Sequence, residues 1–147
     1  MSQEDIVSNA IMKHLKSMDW SIIQYHSPGG QANISIEVKG DITFPDIIGL
    51  KAGSILVMEN KSSYNEEDIA KLRRMKRDPG AMHQVRTVAQ DWAVREGEKL
   101  LGDPEVHCGH GFSGRAETAP LPDIDLFWVL DDSEVVLIAC KENPVVL

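Results

Sequence analysis

The chain has 147 residues, 42% hydrophobic and 26% charged, and its 15 basic against 23 acidic side chains leave a formal charge of −8. Collagen-like, mucin-like and wholly disordered chains are excluded, and at this length roughly 68–70% of the unfolded surface can be buried, enough for one domain over residues 1–147 without stapling disulfides. No apolar run approaches the ~18 residues of a membrane span, the N-terminus opens on acids, and Cys108 and Cys140 are the only cysteines, so the expectation is a cytoplasmic chain with no membrane partner.

In chain order, Ser2 caps a first helix with Asp5 at its third position, and Ala10, Ile11, Leu15 and Met18 recur at helical spacing to an end near Asp19. Trp20 to Tyr25 is apolar or β-prone, Ser27-Pro28-Gly29-Gly30 breaks the chain, and Asn33 to Lys39 alternates, which reads as two strands or a strand pair. The apolar runs Ile42 to Leu50 and Ile55 to Met58 flank Lys51-Ala52-Gly53-Ser54 and read as a β-hairpin. Asn65 caps a second helix with Glu66, Glu67 and Asp68 in its first turn, running to about Arg77 and stopping at Asp78-Pro79-Gly80. A third helix spans His83 to about Leu101, with Val85, Val88, Ala89 and Trp92 on one face. Residues 103–122, rich in Gly, Pro, His and Ser, read as a long loop, and Asp123 to Leu130 and Glu134 to Cys140 as a closing strand pair.

A two-residue turn at Ala52-Gly53 sets Asp46 directly opposite Glu59, with Cβ atoms ~4.5–5.5 Å apart. Like charges so placed repel unless one is protonated, both are in water, or a cation lies between them. Lys61, two residues past Glu59, falls on the same sheet face. Two hard oxygen ligands beside a lysine suit Mg²⁺, with Mn²⁺ as a substitute, held by carboxylates and phosphate oxygens. The plain alternative is a solvated hairpin face with a cross-strand ion pair, against which the flanking Ile47-Ile48 and Ile55-Leu56-Val57-Met58 argue. Pro45 lacks a ladder donor and predicts a bend or bulge just before Asp46.

Pro45-Asp46, then Glu59-Asn60-Lys61 on the next strand, resembles the signature of the PD-(D/E)XK nuclease superfamily, over about residues 2–77. The resemblance implies a restriction-endonuclease-like α/β fold, a central mixed sheet of about five to six strands flanked by helices. It implies a Mg²⁺-dependent nuclease acting on phosphodiester bonds, of DNA rather than RNA. Asp46 and Glu59 would be metal ligands, the Asn60 carbonyl a further one, and Lys61 the group that positions or activates the attacking water. Such proteins also bring an acid from the first helix, for which Glu4 is the candidate. Glu4 lies within about 20° of Ile11 and Leu15 on the helical wheel and so points along the apolar stripe, although a first-turn acid also serves the helix dipole.

Lys71, Arg73, Arg74, Lys76, Arg77 and Arg86 face Asp78 alone in residues 71–86, whereas residues 96–142 hold eleven acids and three basic residues. The basic stretch is either the wet side of a helix or the phosphate-gripping surface of a nucleic-acid enzyme, and the latter is the reading taken. His107, Cys108 and His110, with Cys140, hint at zinc, but paired ligand spacings are missing, so a loop near substrate is preferred. Trp20, Trp92 and Trp128 read as core residues. One site per chain predicts a homodimer or a partner subunit for cutting both strands. The rival readings are an inactive nucleic-acid-binding or regulatory module on the same fold, and an interaction protein that uses its acidic C-terminal half.

Overall fold

The fold is taken from a computed structural model and described for residues 2–25, 34–97, 104–114, 126–131 and 134–140; of the last two segments only Val135 has a described side chain. Eleven elements follow one another among these residues: α1 (Gln3–Ser17), β1 (Ser21–Tyr25), β2 (Ile36–Val38), β3 (Asp41–Thr43), β4 (Ile47–Lys51), β5 (Ser54–Asn60), α2 (Glu66–Arg77), α3 (Pro79–Arg95), β6 (Glu105–Ser113), β7 (Leu126–Asp131) and β8 (Glu134–Cys140). Six strands form one mixed sheet in the order β1-β4-β5-β6-β7-β8, and β2 and β3 form a separate two-stranded sheet. The β5–β6 and β6–β7 pairs are parallel and the remaining pairs antiparallel. The expected α/β class and mixed sheet are therefore present, and no helix among the described residues is long and apolar enough to cross a membrane.

Alternation along β5 decides the layering. Leu56 and Met58 pack with Val7, Ile11 and Leu15 of α1, all fully buried. Ile55 and Val57 pack on the opposite face with Ile69, Leu72 and Met75 of α2 and Met82, Val85 and Ala89 of α3. The sheet is thus covered on both sides, as strands paired in parallel require. The Ser2 cap forms as expected, accepting from the Asp5 N–H at 3.1 Å while Asp5 reaches back to Ser2.

The β4–β5 hairpin adopts the expected register, with Ile47 opposite Met58 and Lys51 opposite Ser54, about a tight turn at Ala52 (φ +48°) and Gly53 (φ +81°). Other expectations are corrected. The run Ile42 to Leu50 is two strands, because Phe44-Pro45 interrupts it and Asp46 sits on a bend. β1 pairs with β4, and β2 with β3, so the two strands before the hairpin are not partners. Asp78-Pro79-Gly80 begins α3 rather than merely ending α2: Asp78 accepts from the Gly80 N–H at 2.9 Å and Pro79 takes the first helical position, where its missing N–H costs nothing.

The largest correction falls on residues 103–122. Residues 105–113 are not loop but β6, an inner strand hydrogen-bonded on both sides. Glycine there serves close packing: a Cβ on Gly111 would lie 2.1 Å from Ile11 Cδ1 and 2.5 Å from Asn60 Oδ1. The break at 27–30, the expected helix end at 98–101 and residues 115–122 lie outside the described residues.

Candidate active site

The hairpin delivers Asp46 and Glu59 to the same place by different means. Glu59 is the penultimate residue of β5, on the face turned to α2, and only 3% exposed. Asp46 lies one residue before β4, where its N–H donates to the Met58 carbonyl at 3.1 Å and its Oδ2 accepts from the Asn60 N–H at 2.7 Å. Gln24 holds the approach to this bend by donating to the Pro45 carbonyl at 2.8 Å, while its own oxygen accepts from the Ile34 N–H. The bend expected at Pro45 is present and orients the aspartate.

Glu4 in the first turn of α1 reaches this end of the sheet, with Lys61 Nζ 3.4 Å from its Oε1. From the other side α2 contributes Lys71, whose ammonium lies 3.1 Å from Glu59 Oε1. A cleft of about 320 Å³ is lined by Glu4, Asp46, Glu59, Lys61 and Lys71 with Ile42, Thr43 and Phe44. Four of the sequence-predicted site residues, Glu4, Asp46, Glu59 and Lys61, are therefore brought together from α1, the bend before β4, β5 and the segment just after it.

The two acids line the same cleft and act on each other electrostatically. Burial raises both carboxyls; the Asp46 charge raises Glu59 further while Lys71 pulls it back, and the outcome is about 8. The pair therefore holds a proton to higher pH than an ordinary carboxyl does. Partial burial works against the Lys61 charge, but Asp68, Glu4 and Asp46 outweigh it and raise its pKa. Lys61 stays an ammonium.

Whether this donor set suits a divalent ion is decided by its chemistry. Among the described residues no three His, Cys, Asp or Glu side chains gather as a metal cage. Two carboxyl groups lining one cleft with room for water nevertheless suit Mg²⁺, which would be held by one or two carboxylates together with water and phosphate oxygens. Asn60 is fully buried, its Nδ2 donating to Ser8 Oγ at 3.2 Å, and its Oδ1 has no hydrogen-bond partner among the described residues.

The side chains of the basic stretch lie in different surroundings. Lys71 turns into the cleft, Lys76 donates to the Val106 carbonyl and Arg86 to the Pro104 carbonyl at 3.1 Å, tying α2 and α3 to the start of β6. Arg73 is half-buried, and Arg74 and Arg77 are exposed. The histidine cluster is corrected too. His107 and Cys108 are successive residues of a strand and face opposite sides of the sheet. Cys108 lies in the core, and Cys140 lies outside the described side chains. His110 is fully buried: its Nδ1 donates to the Glu59 carbonyl at 2.9 Å, and its Nε2 accepts from the Asn65 N–H at 3.1 Å. The acceptor role of Nε2 requires the neutral ring, and burial lowers its pKa to about 4.

Sequence reading missed Asp68, taken there only as a first-turn acid. It is 95% buried, its Oδ2 has no hydrogen-bond partner among the described residues, and burial raises it to about 6 against the pull of Lys61 and Lys71. The signal was available: Asp68, Leu72 and Met75 recur at i, i+4 and i+7, which places an acid on the buried stripe. Gln24 and Ser8 carried no comparable signal. No protein-family model matches this sequence, and no curated protein or solved structure is found to be similar to it.

Proposed function

We propose that the chain is a small metal-dependent nuclease of the restriction-endonuclease-like type, hydrolysing phosphodiester bonds of DNA. One observation carries this reading: Asp46 and Glu59, two acids on neighbouring chain segments, share one cleft with Lys61 and Lys71. Like-charged groups so placed are stable only with a proton or a cation between them. The helix, antiparallel hairpin and helix-linked parallel strand agree with the fold that the Pro-Asp and Glu-x-Lys spacing implies.

In this reading Asp46 and Glu59 hold Mg²⁺ or Mn²⁺, which supplies a water of lowered pKa and offsets phosphate charge. Lys61, a permanent ammonium, orients the attacking water and opposes charge growing on the phosphoryl oxygens. Glu4 holds that ammonium in place. Asp46 is fixed by the Asn60 N–H, so its carboxylate needs little reorganisation to bind. Lys71, Arg74 and Arg77 are the phosphate contacts along the substrate backbone.

One observation favours a second reading, an inactive binding module. Lys71 already gives Glu59 a cationic partner at 3.1 Å, so the fold can satisfy this acid without any ion. Cleavage of plasmid and oligonucleotide DNA in Mg²⁺ and in Mn²⁺, run beside Asp46→Ala and Lys61→Ala, separates the two. Metal-dependent cutting lost in both variants supports the nuclease, and undiminished cutting by both rejects the site. A parent that retains DNA yet never cuts it is the binding module.

A further inference from the structure

Besides its charged groups the cleft is lined by two apolar, exposed side chains, Ile42 and Phe44. Ile42 is 65% and Phe44 43% exposed, two of four large hydrophobic residues so exposed among the described ones. Ile42 belongs to β3 and Phe44 lies one residue past its end, while Thr43 between them is buried and paired with Ile36 of β2. This segment is rigidly mounted. Gln84 of α3 clamps Glu37 of β2 through two hydrogen bonds, accepting from its N–H at 2.8 Å and donating to its carbonyl at 2.9 Å. Gln24 holds the Pro45 carbonyl just beyond Phe44. Two exposed apolar side chains on a fixed support, lining a charged cleft, are placed to meet whatever occupies it.

Resting on the nuclease reading, we infer that Ile42 and Phe44 form a base-stacking shelf, and that the site takes a strand with at least one unpaired nucleotide in preference to continuous duplex. Phe44 precedes Asp46 by two residues, a span of at most ~7 Å. A base on the shelf therefore keeps its own phosphate within reach of Asp46, Glu59 and Lys61. A base inside a duplex has both faces covered by its neighbours and offers none to Phe44, whereas an unpaired or extruded base does. The cleft, about 320 Å³, is at the small end of ligand pockets and suits one nucleotide, not a double helix. Charge selects the occupant: lysines and an aromatic side chain lining the same cleft match a nucleotide's phosphate and base, whereas a purely apolar partner would meet Lys61, Lys71 and the acids.

Fluorescence anisotropy of the full chain in Ca²⁺, with a labelled 20-mer as single strand and as blunt duplex, tests this. The parent should bind the single strand at least tenfold tighter. Phe44→Ala should weaken single-strand binding about 5- to 100-fold, the range expected for one lost stacking partner, with little change for duplex; Phe44→Tyr should restore it. A 2-aminopurine base in the strand should be quenched by the parent and not by Phe44→Ala, and unchanged melting temperatures show that the variants are folded. Equal single-strand affinity in parent and Phe44→Ala overturns the shelf, as does a parent that prefers duplex. So does a Phe44→Ala protein that changes only its oligomeric state on a sizing column, since the patch is then an interface between copies. If the parent cuts DNA in Mg²⁺ and Phe44→Ala behaves identically, the shelf alone fails; if the parent neither binds nor cuts any nucleic acid, the nuclease reading fails with it.

Discussion

The Asn60 N–H donates to Asp46 Oδ2 at 2.7 Å. The paired residues of β4 and β5 end at Ile47 and Met58, and one residue further a side-chain carboxylate takes over the role of a backbone acceptor. Asp46 is thereby both the end of a ladder and a wall of the cleft. Its position is set by main-chain geometry rather than by a freely rotating side chain.

Separating these two roles is a matter of choosing the substitution. Asp46→Asn retains an oxygen for the Asn60 N–H and removes the charge, so its stability should stay within about 1 kcal/mol of the parent. DNA cleavage should nonetheless fall at least about 100-fold. Asp46→Ala should lose the activity and about 1–2 kcal/mol of stability besides, since the N–H is left unpaired. Chemical denaturation beside a cleavage assay reads both.

Glu59 predicts an unusual dependence of stability on pH. Its pKa in the fold, about 8, is above the ordinary 4.5, so the folded state holds the proton more tightly than the unfolded one. The stability this confers is complete below about pH 4.5 and is lost as pH rises through 8. Melting temperature in EDTA should therefore decline between pH 6.5 and 9. Glu59→Gln should flatten that decline, and Mn²⁺ should reverse it in the parent but not in the variant.

His110 acts in the opposite sense. Its pKa is lowered to about 4 from 6.5, so between these values the unfolded chain takes up a proton that the fold refuses. Stability from this group is complete above pH 6.5 and falls as pH drops toward 4. His110→Ala should remove that acid sensitivity and cost about 2–4 kcal/mol, because the Glu59 carbonyl and the Asn65 N–H both lose their partner. Denaturant titrations at pH 5 and pH 7.5 give both quantities.

Packing predicts that Gly111→Ala destabilises the protein by about 1–3 kcal/mol, since the new methyl overlaps Ile11 and the Asn60 amide. Ile11→Val in the same chain should recover part of the loss by clearing Cδ1. Additive losses in a double-mutant cycle would contradict the close approach of α1 to β6.

The hairpin turn offers a stabilising change. Ala52 holds φ at +48°, a region its Cβ disfavours, and precedes Gly53 at +81°. Ala52→Asn, which creates the Asn-Gly pair preferred in such turns, should raise stability by about 0.5–1 kcal/mol, and Ala52→Val should lower it. Thermal melts of the two variants check the sign.

What was legible in the sequence is what local chemistry dictates. The Ser2 and Asn65 caps, the β4–β5 register about Ala52-Gly53, the bend at Pro45 and the placing of Glu4 on the inner stripe of α1 all follow from spacing within a few residues, where sterics and hydrogen bonding leave few choices. Only the tertiary structure decided the rest. β6 reads as loop because its glycines and histidines suit an inner strand only when α1 presses against Gly111 and Asn65 waits for His110, and neither neighbour is near in sequence. The same holds for Lys71, which looks like one more solvated base until β5 places Glu59 3.1 Å away. Charge, burial and partnership are properties of the environment, and for these residues it is built from segments tens of residues apart.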